Sequence, residues 1–332
     1  MGVTIKEVAQ HAGVSTATVS RVLNDSGSVN EATRLKVKAA AHALKYKPNA
    51  VARSLIMSKT YTVGVLLPDL YGEFFSEVIR GIDQRARHSR YHLLVSSSHA
   101  TPAELEAALL AMSGRIDGLI VMSPDLDAQT LEANLPTGLP IVLLNCYLKS
   151  EVYDSINIDN YHGARSMVEH LHAHGHRRMA LIRGAAGNYD ADERLRGFQE
   201  ALESYGLDAS LVFEGSFTEE SGYQAARRIL EISPRPTAIF GSNDSMAIGA
   251  MQAVQEAGLR VPNDIAVVGF DDIPVARYVN PALTTVHVSI SDMGRRSVQM
   301  LLDAIEKNEI YERIQEVLPT TLAVRASSGG HA

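Results

Sequence analysis

The fold of the N-terminal part is decided by residues 4–24, TIKEVAQHAGVSTATVSRVLN. Ile5, Val8 and Ala9 recur at i, i+3 and i+4, the spacing that places apolar side chains on one face of a helix. Gly13 follows, and glycine adopts the positive φ of a sharp turn without a Cβ clash. The stretch therefore predicts two short helices joined by a tight turn, a helix-turn-helix.

The second predicted helix leaves an outward face of small polar residues. Ser15 is a preferred residue type for capping its start. Val19 and Val22 supply its buried side, and the outward side then carries Thr16, Ala17, Thr18 and Arg21. Small residues at a helix start, followed one turn later by arginine, fit the major groove of DNA. The alternative is an ordinary surface helical hairpin.

The charge distribution favours the DNA interpretation. Residues 1–60 hold nine Lys/Arg and three Asp/Glu, a net charge of +6. The remaining residues hold 22 and 35, a net of −13, and together they give the −7 of the whole chain. A basic head on an acidic body is expected when only one end of a protein meets phosphates.

A third helix is predicted after a cap at Asn30. Its inner face is expected to consist of Leu35, Ala39, Ala40 and Leu44. Pro48 ends it, because proline lacks an N–H and disfavours a helical residue before it.

Residues 49–57 predict a further helix of about two turns, too short to be stable alone in water. It is either a linker that packs elsewhere or a hinge that folds on DNA. In the second interpretation Leu55 is an apolar wedge in the minor groove. The expected organisation is a helix-turn-helix domain at 1–48, a hinge and linker at 49–60, and a core at 61–328.

The core alternates apolar, β-rich runs with segments of helical length. The runs are residues 63–67, 92–95, 118–122, 141–144, 179–182, 237–240 and 265–269. Continuous apolar strands separated by helices predict parallel sheets covered on both faces. About 270 residues exceed the usual size of one such domain, which favours two α/β lobes.

Polar residues follow several of these strands, where an open α/β sheet forms its ligand cleft. They are Asn145, Asn188, Asp190, Arg194, Asn243, Asp244, Asp271 and Asp272. Carboxylates and an arginine in one cleft can hold vicinal hydroxyls. The aromatic rings of Phe74, Phe75 and Phe217 can stack on a sugar ring or on a base. A sugar-like ligand is expected, with a nucleobase or nucleoside as the alternative.

Motifs along the whole chain resemble the LacI/GalR family of bacterial transcription regulators. The resemblance covers residues 3–326, and its motifs occur in family order and spacing. They are residues 14–22, 46–49, 68–75, 115–118, 175–176, 194–198, 242–244, 268–272 and 283–286. It implies a periplasmic-binding-protein-like core of two Rossmann-like lobes. One lobe would comprise about 61–160 and 290–318, and the other about 161–289 and 319–328.

The resemblance also implies roles for individual residues in the head. Base readout falls on Thr16, Ala17 and Arg21, and arginine is the common reader of guanine. Phosphate contacts fall on Ser15, Ser20, Asn24 and Tyr46. Leu55 matches the leucine that the family inserts into the minor groove. A symmetric homodimer on a pseudo-palindromic operator is therefore expected.

In the core, the resemblance places Arg194 and Asp271 at effector contacts and Phe217 where an aromatic covers the ligand. Asn145 stands where many members of the family carry aspartate. Gly72-Glu73 stands where the family often has Asn-Pro. These two departures bear on the class of ligand bound.

Other classes of function find little support. We expect no signal peptide and no membrane span, which places the protein in the cytoplasm. No P-loop, dinucleotide fingerprint or nucleophile elbow is present in the sequence, so neither an enzyme nor a cofactor is expected. A plain cytosolic sugar carrier would need no basic head. The prediction is a transcription repressor of carbohydrate-utilisation genes.

Two further features have simple structural interpretations. His170, His172, His174 and His176 could chelate zinc at i, i+4 spacing. We favour the alternative that they stabilise the negative end of a helix dipole. The single Cys146 follows an apolar strand and is expected to be buried.

Overall fold

The computed structural model describes residues 3–24, 27–46, 59–98, 101–146, 148, 152–306 and 312–329. The chain divides into two compact units, residues 1–60 and 61–332.

The first unit is a bundle of three helices: α1 (Ile5–Ala12), α2 (Thr16–Leu23) and α3 (Glu31–Ala43). Thr4 caps α1 in a capping box with Glu7. Gly13 ends α1 at φ 66°, as the predicted turn requires. Ser15 Oγ accepts the backbone N–H of Thr18, so the predicted cap of α2 is formed.

The core of this unit is built from small and β-branched side chains. Its buried residues are Val8, Ala9, Val19, Val22, Val37, Ala40 and Ala41. The inner face predicted for α3 was wrong in two of four residues, because Leu35 is 60% exposed and Ala39 is also exposed. Val37 and Ala41 lie inward instead, since they share one face of α3 with Ala40 at i, i+3, i+4 spacing.

Residues 47–58 lie outside the described residues. The helix end at Pro48, the hinge helix at 49–57 and the wedge at Leu55 therefore stay predictions.

The second unit contains two sheets, each of six strands among the described residues. The first sheet has the order β11-β5-β4-β3-β1-β2, and all its pairings are parallel. Its strands are β1 (Thr62–Leu67), β2 (His92–Ser97), β3 (Gly118–Met122), β4 (Ile141–Leu144), β5 (Asp154–Ile158) and β11 (Gln315–Leu318).

The second sheet has the order β12-β10-β9-β8-β6-β7. Its pairings are parallel except that β12 runs antiparallel to β10. The strands are β6 (Met179–Arg183), β7 (Val212–Glu214), β8 (Ala238–Gly241), β9 (Ala266–Asp271), β10 (Thr284–His287) and β12 (Thr321–Ala323).

Helices cover both sheets. Beside the first sheet lie α4 (Glu73–His88), α5 (Pro102–Met112), α6 (Ala128–Asn134) and α11 (Ile290–Glu306). Beside the second lie α7 (Asn160–Ala173), α8 (Tyr189–Ser204), α9 (Glu219–Leu230) and α10 (Asp244–Glu256). We call the first sheet with its helices the first lobe, and the second sheet with its helices the second lobe.

The chain crosses between the lobes three times: after β5, between β10 and α11, and between β11 and β12. Each lobe is therefore completed by a segment distant in sequence. Among the described residues, no helix has the length and apolar character needed to cross a membrane.

Candidate functional site

A cavity of about 400 Å³ opens at the carboxyl ends of strands from both lobes. This is the edge of an α/β sheet where ligands bind, and the volume suits a small molecule. Nine of the eleven residues predicted for the cleft line it: Phe74, Phe75, Asn145, Asn188, Asp190, Arg194, Phe217, Asn243 and Asp271. Asp244 and Asp272 do not line it, and Asp272 lines a different cavity. The contact of the nine lining residues with a ligand stays a prediction.

The floor of the cavity is organised around Arg194, which is 3% exposed. Its Nε donates to Asn160 Oδ1 at 2.7 Å, and one terminal nitrogen donates to the backbone oxygen of Ser242. The other terminal nitrogen lies 3.2 Å from Asp271 Oδ1. The guanidinium carbon lies 3.8 Å from the centre of the Phe270 ring. These contacts fix the position of the arginine and set a carboxyl group against its charge.

Asp190 joins this floor to the first lobe. It accepts from Asn160 Nδ2 at 2.7 Å and from Asn145 Nδ2 at 3.1 Å. Asn145 follows β4 in the first lobe, whereas Asp190 lies in the first turn of α8 in the second. The sequence analysis did not identify Asn160, because it follows β5. The polar residues of β5 prevented this strand from being predicted.

Three more hydrogen bonds cross the cleft. Asn188 Nδ2 donates to Asp125 Oδ1 at 2.7 Å, and the Tyr189 N–H donates to the Pro124 carbonyl at 3.1 Å. On another segment, the Val275 N–H donates to Glu73 Oε2 at 2.9 Å. The lobes are thus bridged by groups that line the cavity or flank it.

Three aromatic side chains, those of Phe74, Phe75 and Phe217, also line the cavity. The rings of Phe74 and Phe75 meet edge to face at 5.6 Å. Phe217 packs over Gly184 so closely that a Cβ added to this glycine would overlap the ring. Asn243 Nδ2 donates to the Phe217 carbonyl at 2.9 Å and holds this loop in place.

Three lining residues have backbone conformations that side chains disfavour. The φ angles are 46° at Asn145, 63° at Phe217 and 106° at Asp271. Such conformations persist where the surrounding structure enforces them, and they concentrate at ligand sites. The sequence carried no signal of them.

Two buried carboxyl groups, that of Asp271 on the cavity lining and that of Asp244, lie close enough to interact through their charges. Burial raises the pKa of Asp271 to about 7, while Arg194 opposes the rise and Asp190 adds to it. Burial and the neighbouring Asp271 raise the pKa of Asp244 well above its usual value. Asp244 accepts from the Ile273 N–H at 2.8 Å and from the Thr285 hydroxyl. Asp271 is therefore poised to change ionisation near neutral pH.

In the head, the residues predicted to read bases lie on the surface of α2. Thr16, Ala17 and Arg21 are exposed. The residues predicted to contact phosphates are Ser15, Ser20, Asn24 and Tyr46. Ser15 caps α2, and Ser20 Oγ accepts from Asn24 Nδ2 at 3.2 Å. Tyr46 packs partly against the head core. The DNA contacts themselves stay predictions.

The histidine cluster and Cys146 make contacts within the protein. His170 Nε2 lies 3.0 Å from Ser328 Oγ, and burial lowers the pKa of His170 to about 4. His172 stacks on Tyr205 at 3.8 Å. Within the described residues, no cluster of three or more His, Cys, Asp or Glu is arranged to hold a metal ion. Cys146 is buried, and burial raises the pKa of its thiol to about 12.

The chain combines a helix-turn-helix unit with a two-lobed core that has a cavity between its sheets. This combination is typical of DNA-binding regulators. Residues 4–49 match the family model of bacterial regulatory proteins of the lacI family, and residues 168–328 match a periplasmic binding protein-like domain. The chain belongs to the lacI family of bacterial regulatory proteins.

Whole-chain relatives agree. The HTH-type transcriptional repressor PurR of Photobacterium profundum is 35% identical over 98% of each chain. The lac repressor dimer, solved with operator and the anti-inducer ONPF, is 33% identical with a TM-score of 0.90 over 99% of each chain. The transcriptional regulator CelR, solved with cellobiose, is 32% identical with a TM-score of 0.74 over 98% of this chain and 99% of that one. The protein is a DNA-binding transcriptional repressor and not an enzyme.

Proposed function

We propose that this repressor binds a sugar-like ligand in the cavity and that occupancy changes its affinity for operator DNA. The observation that carries the proposal is that Arg194, Asp271, Asp190 and Asn145 line the same cavity as three aromatic side chains. Charged hydrogen-bonding groups and apolar rings in one cavity can hold the hydroxyls and the flat face of a sugar. The cellobiose complex of CelR supports this class of ligand.

The regulated step is inferred from the groups that join the lobes. Asn145 and Asn188 line the cavity and also take part in hydrogen bonds that cross the cleft. A ligand that competes for these groups, or adds to them, stabilises one degree of lobe closure over another. A ligand shifts such an equilibrium only by its difference in affinity for the two states. Operator must in turn change ligand affinity by the same factor.

On DNA, we propose a homodimer bound to a pseudo-palindromic operator. Thr16, Ala17 and Arg21 would read bases, and Leu55 would enter the minor groove. Ser15, Ser20, Asn24 and Tyr46 would hold phosphates, which position the head without reading sequence. The lac repressor, solved as a dimer on its operator, supports this arrangement. The proposed targets are carbohydrate-utilisation genes.

A nucleobase or nucleoside is the second candidate ligand. Phe217 and Phe74 offer planar surfaces for stacking, and the amide and carboxyl groups can pair with the edge of a base. Operator affinity measured with sugars, nucleobases and nucleosides decides between a sugar and a base as the ligand.

The test begins with an operator selected from a pool of random duplexes by the full chain. Operator affinity is then measured with sugars, nucleobases and nucleosides. We expect one sugar to change operator affinity in the wild type and in Arg196→Ala, and to have no effect in Arg194→Ala. Arg196 is the matched control, since it lies on the same helix and pairs with Glu193 on the surface. A response to bases alone, or an unaltered response in Arg194→Ala, contradicts the proposal.

A further inference from the structure

The residues that line the cavity carry an excess of acidic groups. Five carboxyl side chains line it, those of Asp69, Glu73, Asp125, Asp190 and Asp271. Among the described residues of the lining, Arg194 is the only Lys or Arg. A ligand therefore enters a site whose fixed groups favour positive charge over negative charge.

The positive charge of Arg194 does not turn this acidic cavity into a receptor for anions. Asp271 already lies against its charge at 3.2 Å, and two further contacts hold its nitrogens. A phosphate is frequently held by an arginine whose paired N–H groups are available in a fork. Here Nε and one terminal nitrogen donate to Asn160 and Ser242, and the other terminal nitrogen is ion-paired with Asp271.

Two buried acceptors on the lining have no hydrogen bond among the described residues: Asn145 Oδ1 and Asp271 Oδ1. Asp271 Oδ1 makes the ion pair with Arg194, but that contact is not aligned as a hydrogen bond. The orientation of Asn145 is fixed, because its Nδ2 must face the carboxylate of Asp190. A buried acceptor that lacks a hydrogen bond destabilises the structure, so a ligand gains by bringing donors.

We propose that the cavity selects an unphosphorylated polyol, and that a protonated amine in place of one hydroxyl strengthens its binding. The inference rests on the proposed function and specifies the chemistry of its ligand. A hydroxyl or an ammonium group donates to Asn145 Oδ1 and Asp271 Oδ1. A phosphate monoester carries a charge of about −1.5 to −2 and chiefly adds acceptors to a site already rich in them.

The size of the selection follows from charge interactions near a protein surface. One unit charge at about 4 Å from another interacts weakly in water and more strongly at a partly buried site. We expect the amine to bind at least about 10-fold more tightly than its parent hydroxyl, and the phosphate at least about 10-fold more weakly. The advantage of the amine should shrink as salt rises, since the outer carboxylates are screened.

The experiment uses matched sets of sugars with the full chain. D-glucose, D-galactose and D-mannose are each compared with the 2-amino-2-deoxy sugar and the 6-phosphate, by thermal shift and calorimetry at about pH 7, where a typical sugar amine is protonated. The expected order of affinity is amine, then parent, then phosphate. A phosphate that binds as tightly as its parent overturns the inference. So does an amine that binds no more tightly than its parent, or a panel in which no neutral or amino sugar binds.

Variants separate charge from shape. Asp125→Asn keeps an acceptor for Asn188 but removes one negative charge, so it should reduce the ratio of amine affinity to parent affinity. Asp192→Asn is the control, because Asp192 lies on α8 outside the cavity and pairs with Arg183. If both variants keep the full advantage of the amine, the charge argument fails. A sugar that binds in the expected order but leaves operator affinity unchanged refutes the proposed function alone.

Discussion

Arg194→Ala tests whether the floor of the cavity is held together by a buried ion pair. The side chains of Arg194 and Asp271 are only 4% and 6% exposed. Removing the arginine leaves Asp271 buried without its cation and leaves Asn160 Oδ1 without the Nε–H that it accepts. Arg196→Ala on the same helix removes a surface arginine that is 49% exposed and pairs with Glu193 and Glu200.

The two substitutions should differ severalfold in their effect on stability. Breaking a buried ion pair by deleting one partner costs about 3–5 kcal/mol. An exposed pair contributes about 0–1 kcal/mol. We therefore expect Arg194→Ala to lower the melting temperature of the core clearly, and Arg196→Ala to change it little.

The cost of Arg194→Ala should also depend on pH. Burial raises the pKa of Asp271 to about 7 from a usual value of 3.8, and Arg194 opposes that rise. A raised carboxyl pKa means that the folded state holds a proton after the unfolded chain has released it, so stability falls as pH rises through this interval. In the wild type the free energy of unfolding stops decreasing near pH 7, because Asp271 has a pKa of about 7 and is ionised above it. Without Arg194 the pKa of Asp271 moves higher, and the fall continues to higher pH.

Thermal and urea unfolding of both variants and the wild type, at about one pH unit below and above neutrality, measure this difference. The destabilisation by Arg194→Ala should grow between the two values by up to about 1.4 kcal/mol for each pH unit above roughly 7. Circular dichroism checks that the variant is folded before each series. Equal destabilisation at both pH values, or equal costs for Arg194→Ala and Arg196→Ala, would refute the reasoning.

Three further substitutions probe other contacts. Arg21→Ala should cost about 1–3 kcal/mol of operator binding and relax base preference at one position, measured on single-base operator variants; an equal loss on every sequence would contradict base readout. Gly184→Ala should displace Phe217 and weaken ligand binding roughly 5- to 30-fold, as expected when a pocket loses about 1–2 kcal/mol of aromatic contact; unchanged affinity by calorimetry would rule out this contact. Glu73→Ala should remove the bond to Val275 N–H and widen the unliganded cleft in small-angle scattering, whereas Glu73→Gln, which retains an acceptor, should not.

The long apolar strands were predictable and the mixed strands were not. Seven runs in the sequence correspond to β1–β4, β6, β8 and β9, because buried parallel strands are continuously apolar. Strand β5 was missed because Asp154, Ser155 and Asn157 interrupt its apolar residues. The pairing of β11 with β5 joins segments far apart in sequence, and no local pattern encodes it.

The cavity lining was largely predictable, but its hydrogen bonds were not. Polar residues after strands converge on one edge of a sheet, and this rule found Asn145, Asn243 and Asp271. It could not show that Asp190 bonds to Asn145 across the cleft, since that contact joins separate lobes. Nor could this rule show that Glu73 accepts the Val275 N–H. Glu73 departs from the family pattern, and Val275 is distant from it in sequence.

The three crossings between lobes also determine the order in which the molecule can be completed during synthesis. When a ribosome has made residues 61–287, the first lobe still lacks α11 and β11, and the second lacks β12. The edge of β5 stays unpaired until residues 315–318 emerge. Neither lobe can therefore fold to completion before almost the whole chain exists, and the nascent protein presents a sheet edge open to aggregation until then.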